Sequence, residues 1–441
     1  SHIEPTEAEI RSFVEADEIT RYLNEKHDHR LPIPIEYAKS APHVLSFLEG
    51  YQQRKAMLEV VSQDMELQKL LKKNKSAWLD LGKIQEYRSL SEEDMPSGRL
   101  RVLLDNTLNG KKSLLLWIPA TLPYYDFSGP FQEEKNYSKT LVFSSWRLVP
   151  RMIASIVSYE AERLTVGHPD SVTAKEKASD PEVEGRMYFE EKRNPRPKII
   201  FQLDQRQGGK PRQMEHILFA YPSLFLKGVY DPVENLMERL NLIEIRGRLK
   251  VKIGAALKAR AIAGICAGDD AVDWRTWFWA AAPILDHFFA ANEGLHDWFR
   301  AGYPNPEIAT DAEDESAQRY ETGAKLKFFE QLREAYEHPK SLKLPLLKDQ
   351  QLDEVATYLT TLALASPAIC YLRTQSRYFE GITRSHLNNA FEVALGFARY
   401  FNKPESICAV RLSVPDTDNA SYLDKVLEYS LGGNLQALLD E

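Results

Sequence analysis

The chain has 441 residues, which at roughly 150 residues per domain gives a prior of about three domains. With 43% hydrophobic and 27% charged residues it has ordinary globular composition, which excludes disorder as the whole answer, and 24 prolines with 21 glycines exclude a collagen-like repeat or a dominant linker. A net charge of −8 argues against a dedicated nucleic-acid coat or a basic membrane binder.

Residues 1–112 read as helical. Within 44–71, Val44, Leu45, Leu48, Tyr51, Leu58, Val61, Met65 and Leu67 recur at roughly helical spacing, with Lys and Glu between them. The preceding Leu31-Pro32-Ile33-Pro34-Ile35 implies a kinked entry, because each proline biases its predecessor toward extended backbone. The period then changes. Ser113-Leu114-Leu115-Leu116-Trp117-Ile118 and Thr140-Leu141-Val142-Phe143 are short apolar runs that predict strands buried on both faces of a parallel sheet. A helix follows, with Val149, Met152, Ile153, Ile156, Val157, Ala161 and Leu164 on one stripe, so strand, turn and helix read as half of a βαβ unit. Residues 166–197 have the polar, proline-bearing composition of a surface excursion. A third strand is predicted over 198–203, before the turn signal Gly208-Gly209. From Pro232 onward the pattern is nearly all helical, over 232–241, 244–265, 273–300, 316–337, 349–365, 384–401 and 420–431, with no fixed-period repeat. The fold class expected is mainly α with a small α/β element flanked by helical regions.

Cys266, Cys370 and Cys408 are odd in number, widely spaced and set among apolar residues, which suits reduced core thiols rather than a disulfide scaffold. With no run of about 18 uncharged apolar residues and no signal-peptide pattern at its start, the chain is expected to be cytoplasmic, with no membrane partner. Ser1-His2 has the look of a tag scar, and the apolar run Leu431, Leu435, Leu438, Leu439 reaches the last residues without a stop signal, so the expectation is a piece of something longer.

The commonest catalytic signatures are missing. Gly110-Lys111-Lys112-Ser113 carries a Gly-Lys pair but has Asp105 where a phosphate loop needs glycine and Lys112 where it needs Ser or Thr. His27-Asp28-His29 lacks the second ligand pair of a closed zinc site and reads as a solvated loop. The cluster Trp274, Trp277, Phe278, Trp279, Phe288, Phe289 and Trp298 sits among apolar residues, which favours core packing over base stacking. Asp311-Ala312-Glu313-Asp314-Glu315 reads as a solvated loop with helix-start charge.

Charge is unevenly distributed. Gly185–Arg260 holds 16 Lys/Arg against 8 Asp/Glu, a net +8, so the remainder carries −16. Arg246, Arg248, Lys250, Lys252, Lys258 and Arg260 accompany an apolar face of Leu249, Ile253, Leu257 and Ile262. Such a helix either presents cations to a phosphate backbone or pairs with the acidic remainder of the protein.

Lys139-Thr140-Leu141-Val142-Phe143-Ser144-Ser145-Trp146, with the helix through Arg163, resembles motif IV at the opening of the second RecA-like lobe in superfamily 2 helicases and their Swi2/Snf2-type relatives. Leu362-Ala363-Leu364-Ala365-Ser366-Pro367-Ala368 and Gly433-Asn434-Leu435-Gln436-Ala437-Leu438-Leu439-Asp440-Glu441 extend the resemblance to large bacterial helicase-related proteins of mobile and phage-defence-type genes, in which a helical segment interrupts that lobe. The resemblance implies a helical interlobe region at 1–112, a partial RecA-like element at 113–230 and a helical insertion domain at 231–441. It implies nucleic-acid contacts, with DNA foremost, from Ser144, Ser145, Trp146, Arg147 and Arg151, beside the six basic residues named above. Partners would be the remaining helicase lobes and a protein of a larger complex.

The phosphate loop, the acidic magnesium motif, motif V and motif VI are all missing. ATP and magnesium therefore belong only to a complete parent enzyme, and no cofactor is expected in this chain. The alternative is a helical protein–protein adaptor without catalysis; a hydrolase with an unrecognised site is a third reading. The chain alone is predicted to give no DNA-stimulated ATP hydrolysis, and phosphate release above blank overturns that.

Overall fold

A computed structural model of the protein describes residues 5–32, 43, 46–47, 49–75, 78–85, 88–91, 94–168, 197–204, 210–267, 272–303, 315–415 and 420–441. Most of the polar excursion, the turn at 208–209 and the acidic run at 311–314 lie outside these residues. The chain divides into two units, Ser1–Leu115 with Tyr137–Pro195, and Leu116–Asn136 with Arg196–Glu441.

The first unit contains α1 (Glu7–Lys26), α2 (Gln52–Val60), α3 (Met65–Lys73), α4 (Gly98–Leu108) and α5 (Leu148–Leu164). A reciprocal Thr6–Glu9 capping box starts α1. The helical periodicity over 44–71 resolves into two helices because Asp64 accepts the Leu67 amide and caps α3. Asp64 also accepts the Tyr22 hydroxyl and lies 2.7 Å from His27 Nε2, which ties that histidine to a carboxylate. Val149, Met152, Ile156 and Tyr159 of α5 join Ala16, Ile19, Leu23 and Leu100 in one core. Arg147, Arg151 and Ser155 stay exposed, as the apolar stripe predicts.

In the second unit, β1 (Gln202–Asp204) and β2 (Lys210–Arg212) precede α6 (Leu224–Gly228), α7 (Pro232–Met237), α8 (Leu242–Leu257), α9 (Trp277–Phe289), α10 (Glu293–Ala301) and α11 (Glu315–Glu337). Then come α12 (Asp349–Ala365), α13 (Pro367–Gln375), α14 (Arg384–Phe401), α15 (Pro404–Ser413), α16 (Tyr422–Gly432) and α17 (Leu435–Asp440). Caps explain the boundaries that periodicity blurs. Asn292 accepts the Leu295 amide and begins α10, splitting the run expected over 273–300. Pro367 cannot continue α12, so α13 starts afresh. α8 packs on α12, α9 on α11, and α14 on both α10 and α13. Trp277, Trp298, Phe299, Phe329, Tyr336 and Phe391 are fully buried, so most of the aromatic payload of this region serves the core.

The fold is thus mostly α-helical with a small antiparallel β element, and the expected parallel sheet is corrected. Gln202, Leu203 and Asp204 pair antiparallel with Arg212, Pro211 and Lys210. Just upstream, Asn402 accepts the Lys198 and Ile199 amides, and His216 Nδ1 lies 2.7 Å from the Ile200 carbonyl. Over 113–118 there is a turn of 3₁₀ helix, Lys112–Leu114, and then irregular backbone. Leu116 donates its N–H to the Tyr429 hydroxyl at 2.8 Å and accepts the Tyr400 hydroxyl at 2.8 Å, so side-chain hydroxyls stand where a neighbouring strand would. Thr140–Phe143 is not a strand either, and its side chains face solvent.

Asp286, fully buried in α9, caps the short α6 from outside. It accepts the Phe225 amide at 2.6 Å, the Tyr221 hydroxyl at 2.7 Å and the Ser223 hydroxyl at 3.2 Å. Burial pushes its carboxyl up from 3.8 to about 7, against the lowering effect of those bonds. Over that interval the folded protein keeps a proton that the unfolded chain has released. Its stabilisation is therefore complete below the unfolded value and lost as pH rises through the folded one. Stability is predicted to fall between about pH 4 and 7 by at most about 1.4 kcal/mol per pH unit from this group. Asp286→Asn should flatten that component in urea unfolding across the same window; an unchanged pH slope sinks the assignment.

Candidate functional site

The turn that leads into α5 carries the first set of candidate residues. Ser144 Oγ accepts the Trp146 amide at 3.1 Å, which closes a local turn. Trp146 is half-buried against the core of its unit, while Ser144, Ser145, Arg147 and Arg151 are exposed. Arg147 occupies the N-cap without a side-chain cap bond, and the Tyr51 hydroxyl accepts the Leu148 amide at 3.3 Å. Arg151 forms an ion pair with Glu49 on the surface. Beside this turn a cavity of about 330 Å³ opens, lined by Leu100, Leu103, Val142, Phe143, Met152 and Ile153 among others. Leu141 is 74% exposed and Phe143 88%.

The basic helix is α8, and the structure places most of its cations against the chain's own carboxylates. Arg246 grips both oxygens of Glu428 at 2.7 and 2.8 Å, Arg248 pairs with Glu238, Lys250 reaches Asp353 at 2.7 Å and Lys258 reaches Asp349 at 3.1 Å. Lys252 and Arg260 are exposed, without a carboxylate partner among the described residues. Exposed pairs of this kind are worth about 0–1 kcal/mol each, so they neutralise the helix more than they stabilise it.

Sequence reasoning missed a buried polar cluster in which the segments 362–368 and 433–441 meet. Arg373 of α13 is buried and directs its donors to oxygens on three other helices. These are the Ala363 carbonyl of α12 at 2.7 Å, the Lys227 carbonyl of α6 at 3.3 Å and the Gln436 amide oxygen of α17 at 2.5 Å. Its guanidinium lies 5.0 Å from the centre of the Tyr230 ring. Gln436 donates in turn to Thr374 Oγ1 and to Asp440, and Asp440 pairs with Arg377 at 2.8 Å and accepts the Tyr124 hydroxyl at 2.8 Å. Asn434, at φ 51°, donates to the Tyr125 carbonyl and accepts the Tyr124 amide. The adjacent Gly433 has room for no side chain, because a Cβ there would lie 2.6 Å from ring atoms of Trp117 and Phe131. The available signal was an arginine directly after the apolar run Ala368-Ile369-Cys370-Tyr371-Leu372 and a lone glutamine in the run after Asn434.

No family model, curated protein or solved structure matches the chain.

What the three places can do follows from their chemistry. In the buried cluster, the Cys370 thiol is pushed up to about 11 by burial, so it is a poor nucleophile at neutral pH, and the arginine bonds hold helices together rather than a substrate. The two exposed places offer cations, apolar side chains and a helix start, which are the means of docking. Among the described residues no group of three or more His, Cys, Asp and Glu is placed to hold a metal ion, and no single helix is long and apolar enough to cross a membrane.

Removing Arg373 leaves carbonyls of α6 and α12 buried without donors. Arg373→Met is predicted to destabilise the second unit by about 2–4 kcal/mol, since each orphaned buried acceptor costs about 1–3 kcal/mol. The check is the urea midpoint at unchanged slope, and a loss under about 0.5 kcal/mol contradicts the clamp role.

Proposed function

We propose that this chain is part of a cytoplasmic ATP-dependent DNA helicase or translocase, contributing nucleic-acid or partner contacts without carrying the ATP-hydrolysis motifs itself. The observation that supports this reading is the exposed Leu141-Val142-Phe143 run directly before α5, a helix whose inner face is already buried. Three consecutive large apolar side chains in water need cover, and an extended run of this kind gains it by pairing within a sheet. The cavity of about 330 Å³ beside Val142 and Phe143 has room for a few apolar side chains of a neighbouring segment. In an open α/β sheet, ligands meet the carboxyl ends of strands, and Ser144, Ser145, Trp146 and Arg147 follow the run at that end. There the hydroxyls of Ser144 and Ser145 and the exposed Arg147 suit a phosphate, whereas the Leu148 and Val149 amides are bonded to Tyr51 and Trp146 and Arg151 is paired with Glu49. ATP and magnesium would bind in the complete enzyme, and no residue here is assigned to them.

The adaptor reading draws its support from α8. Its charge is largely answered within the chain, which makes it a weaker phosphate surface than its sequence suggests.

Salt-titrated binding to a DNA duplex and to a single strand separates the two. If the turn into α5 meets phosphates, log affinity should fall linearly with log salt, and Arg147→Gln with Arg151→Gln should lower the slope by about 1 for each phosphate no longer neutralised. No binding at low salt, or a slope indifferent to both substitutions, favours the adaptor.

A further inference from the structure

The first unit holds a cavity that neither functional reading uses. About 450 Å³ in volume, it falls within the roughly 300–1,000 Å³ of small-molecule sites, and it opens between α2, Leu71 of α3 and the residues Trp78, Leu79 and Leu81. Arg54, Met57, Leu58 and Val61 stand at i, i+3, i+4 and i+7, the spacing of one helix face, and all four line it. Met57 is buried in the core of the unit, whereas Leu58 and Leu81 are 62% and 68% exposed, so the cavity leads from the core to the surface.

Three lining side chains bring polar groups, and each has a proton to give. Ser46 Oγ accepts the Leu79 amide at 2.9 Å and keeps its own hydroxyl proton. The Trp78 indole N–H and the guanidinium of the half-buried Arg54 have no acceptor among the described residues. No carboxylate of the described residues lines the cavity, and those of the neighbouring elements are engaged or face elsewhere. Glu49 pairs with Arg151, Asp64 accepts the Leu67 amide and the Tyr22 hydroxyl, and Asp80 Oδ1 accepts the Gly82 and Lys83 amides. Glu59 follows Arg54, and Glu66 precedes Leu71, by five residues, which turns each about 140° round its helix from the lining residue. An apolar wall with one unanswered cation and two further donors is matched by an anion that carries an apolar body.

We propose that this cavity binds a small amphipathic monocarboxylate, a medium-chain fatty acid, whose acyl chain lies against Met57, Val61, Leu71 and Trp78 and whose carboxylate meets the Arg54 guanidinium. The fork of a guanidinium matches the two oxygens of a carboxylate, and the pairing is stronger beside an apolar wall than in open water. An uncharged molecule of the same shape would fill the space but leave Arg54 unanswered. A nucleic-acid backbone would take the charge of Arg54 but leave Leu58 and Leu81 in water. Arginine can also bury its stem and hold its head in water, in which case Arg54 would not distinguish a carboxylate from an alcohol. The proposal concerns the first unit alone and does not depend on the helicase reading.

The test is calorimetric titration of the full chain with decanoate, octanoate, decan-1-ol and decylamine, and sedimentation with vesicles of mixed zwitterionic and anionic phospholipid. Decanoate is expected to bind at one site per chain, at least about tenfold more tightly than decan-1-ol or decylamine. It should also bind about tenfold more tightly than octanoate, about 1.4 kcal/mol for the two extra methylenes. Arg54→Met should abolish the preference for decanoate over decan-1-ol without lowering the thermal midpoint, because the guanidinium has no partner to lose. Leu58→Glu, at the exposed rim, places a carboxylate at i+4 from Arg54 and should weaken decanoate at least about fivefold while leaving the fold intact. No saturable binding of decanoate, equal affinity for decanoate and decan-1-ol, or a preference that survives both substitutions overturns the proposal. So does binding to vesicles without binding of free decanoate, which would make the apolar rim a membrane contact.

Discussion

A buried guanidinium must find its hydrogen-bond partners away from water, and the helices of the second unit are arranged around that requirement at Arg373. Its donors go to oxygens of α6, α12 and α17, so three helices far apart in sequence are held to a fourth by one side chain. A cation satisfied by neutral oxygens keeps its charge unanswered, and the flat face of Tyr230 supplies part of the compensation. Gln436 and Asp440 extend the network to Thr374, Arg377 and Tyr124, which fixes α17 against α13. The tight fit at Gly433 follows, since Trp117 and Phe131 press against the backbone just ahead of that helix.

The same use of polar groups accounts for the backbone at Leu116 and at Lys198–Ile200, where strands of a parallel sheet are expected and none form. An apolar run of strand-like composition needs partners for its backbone, and a neighbouring strand is only one way to provide them. Tyr429 and Tyr400 satisfy Leu116, while Asn402 and His216 satisfy the backbone of Lys198–Ile200. Asp286 does the corresponding work for α6, whose first turn it caps from another helix. Polar side chains, buried at Tyr429 and His216 and half-buried at Tyr400 and Asn402, thus stand in for the backbone ladder.

The two exposed surfaces have different chemistry. The turn into α5 combines an uncovered apolar run with the exposed Arg147, whereas α7–α8 combines an apolar stripe with exposed charges of both signs. On α8 the distinction between a basic sequence and a basic surface matters. Six cations in the sequence become two exposed ones without a carboxylate partner once Glu428, Glu238, Asp353 and Asp349 are in place.

Periodicity by itself determined most of the helices, α5 with its buried stripe and exposed Arg147 and Arg151 among them, because amphipathic spacing is a local property that burial then obeys. It also placed Trp277, Trp279 and Trp298 in a core, while Trp274, Phe278 and Phe288 are half-buried and Phe289 is exposed. It could not show that Ser113–Ile118 and Thr140–Phe143 would go without a sheet, because strand formation depends on partners that spacing does not reveal. Nor could it find the Arg373 cluster, whose members Arg373 and Gln436 lie 63 residues apart. Tertiary structure decided these points for one physical reason. A local pattern specifies which face of an element is apolar, but which distant oxygen or carboxylate satisfies a polar group is settled only when the elements meet.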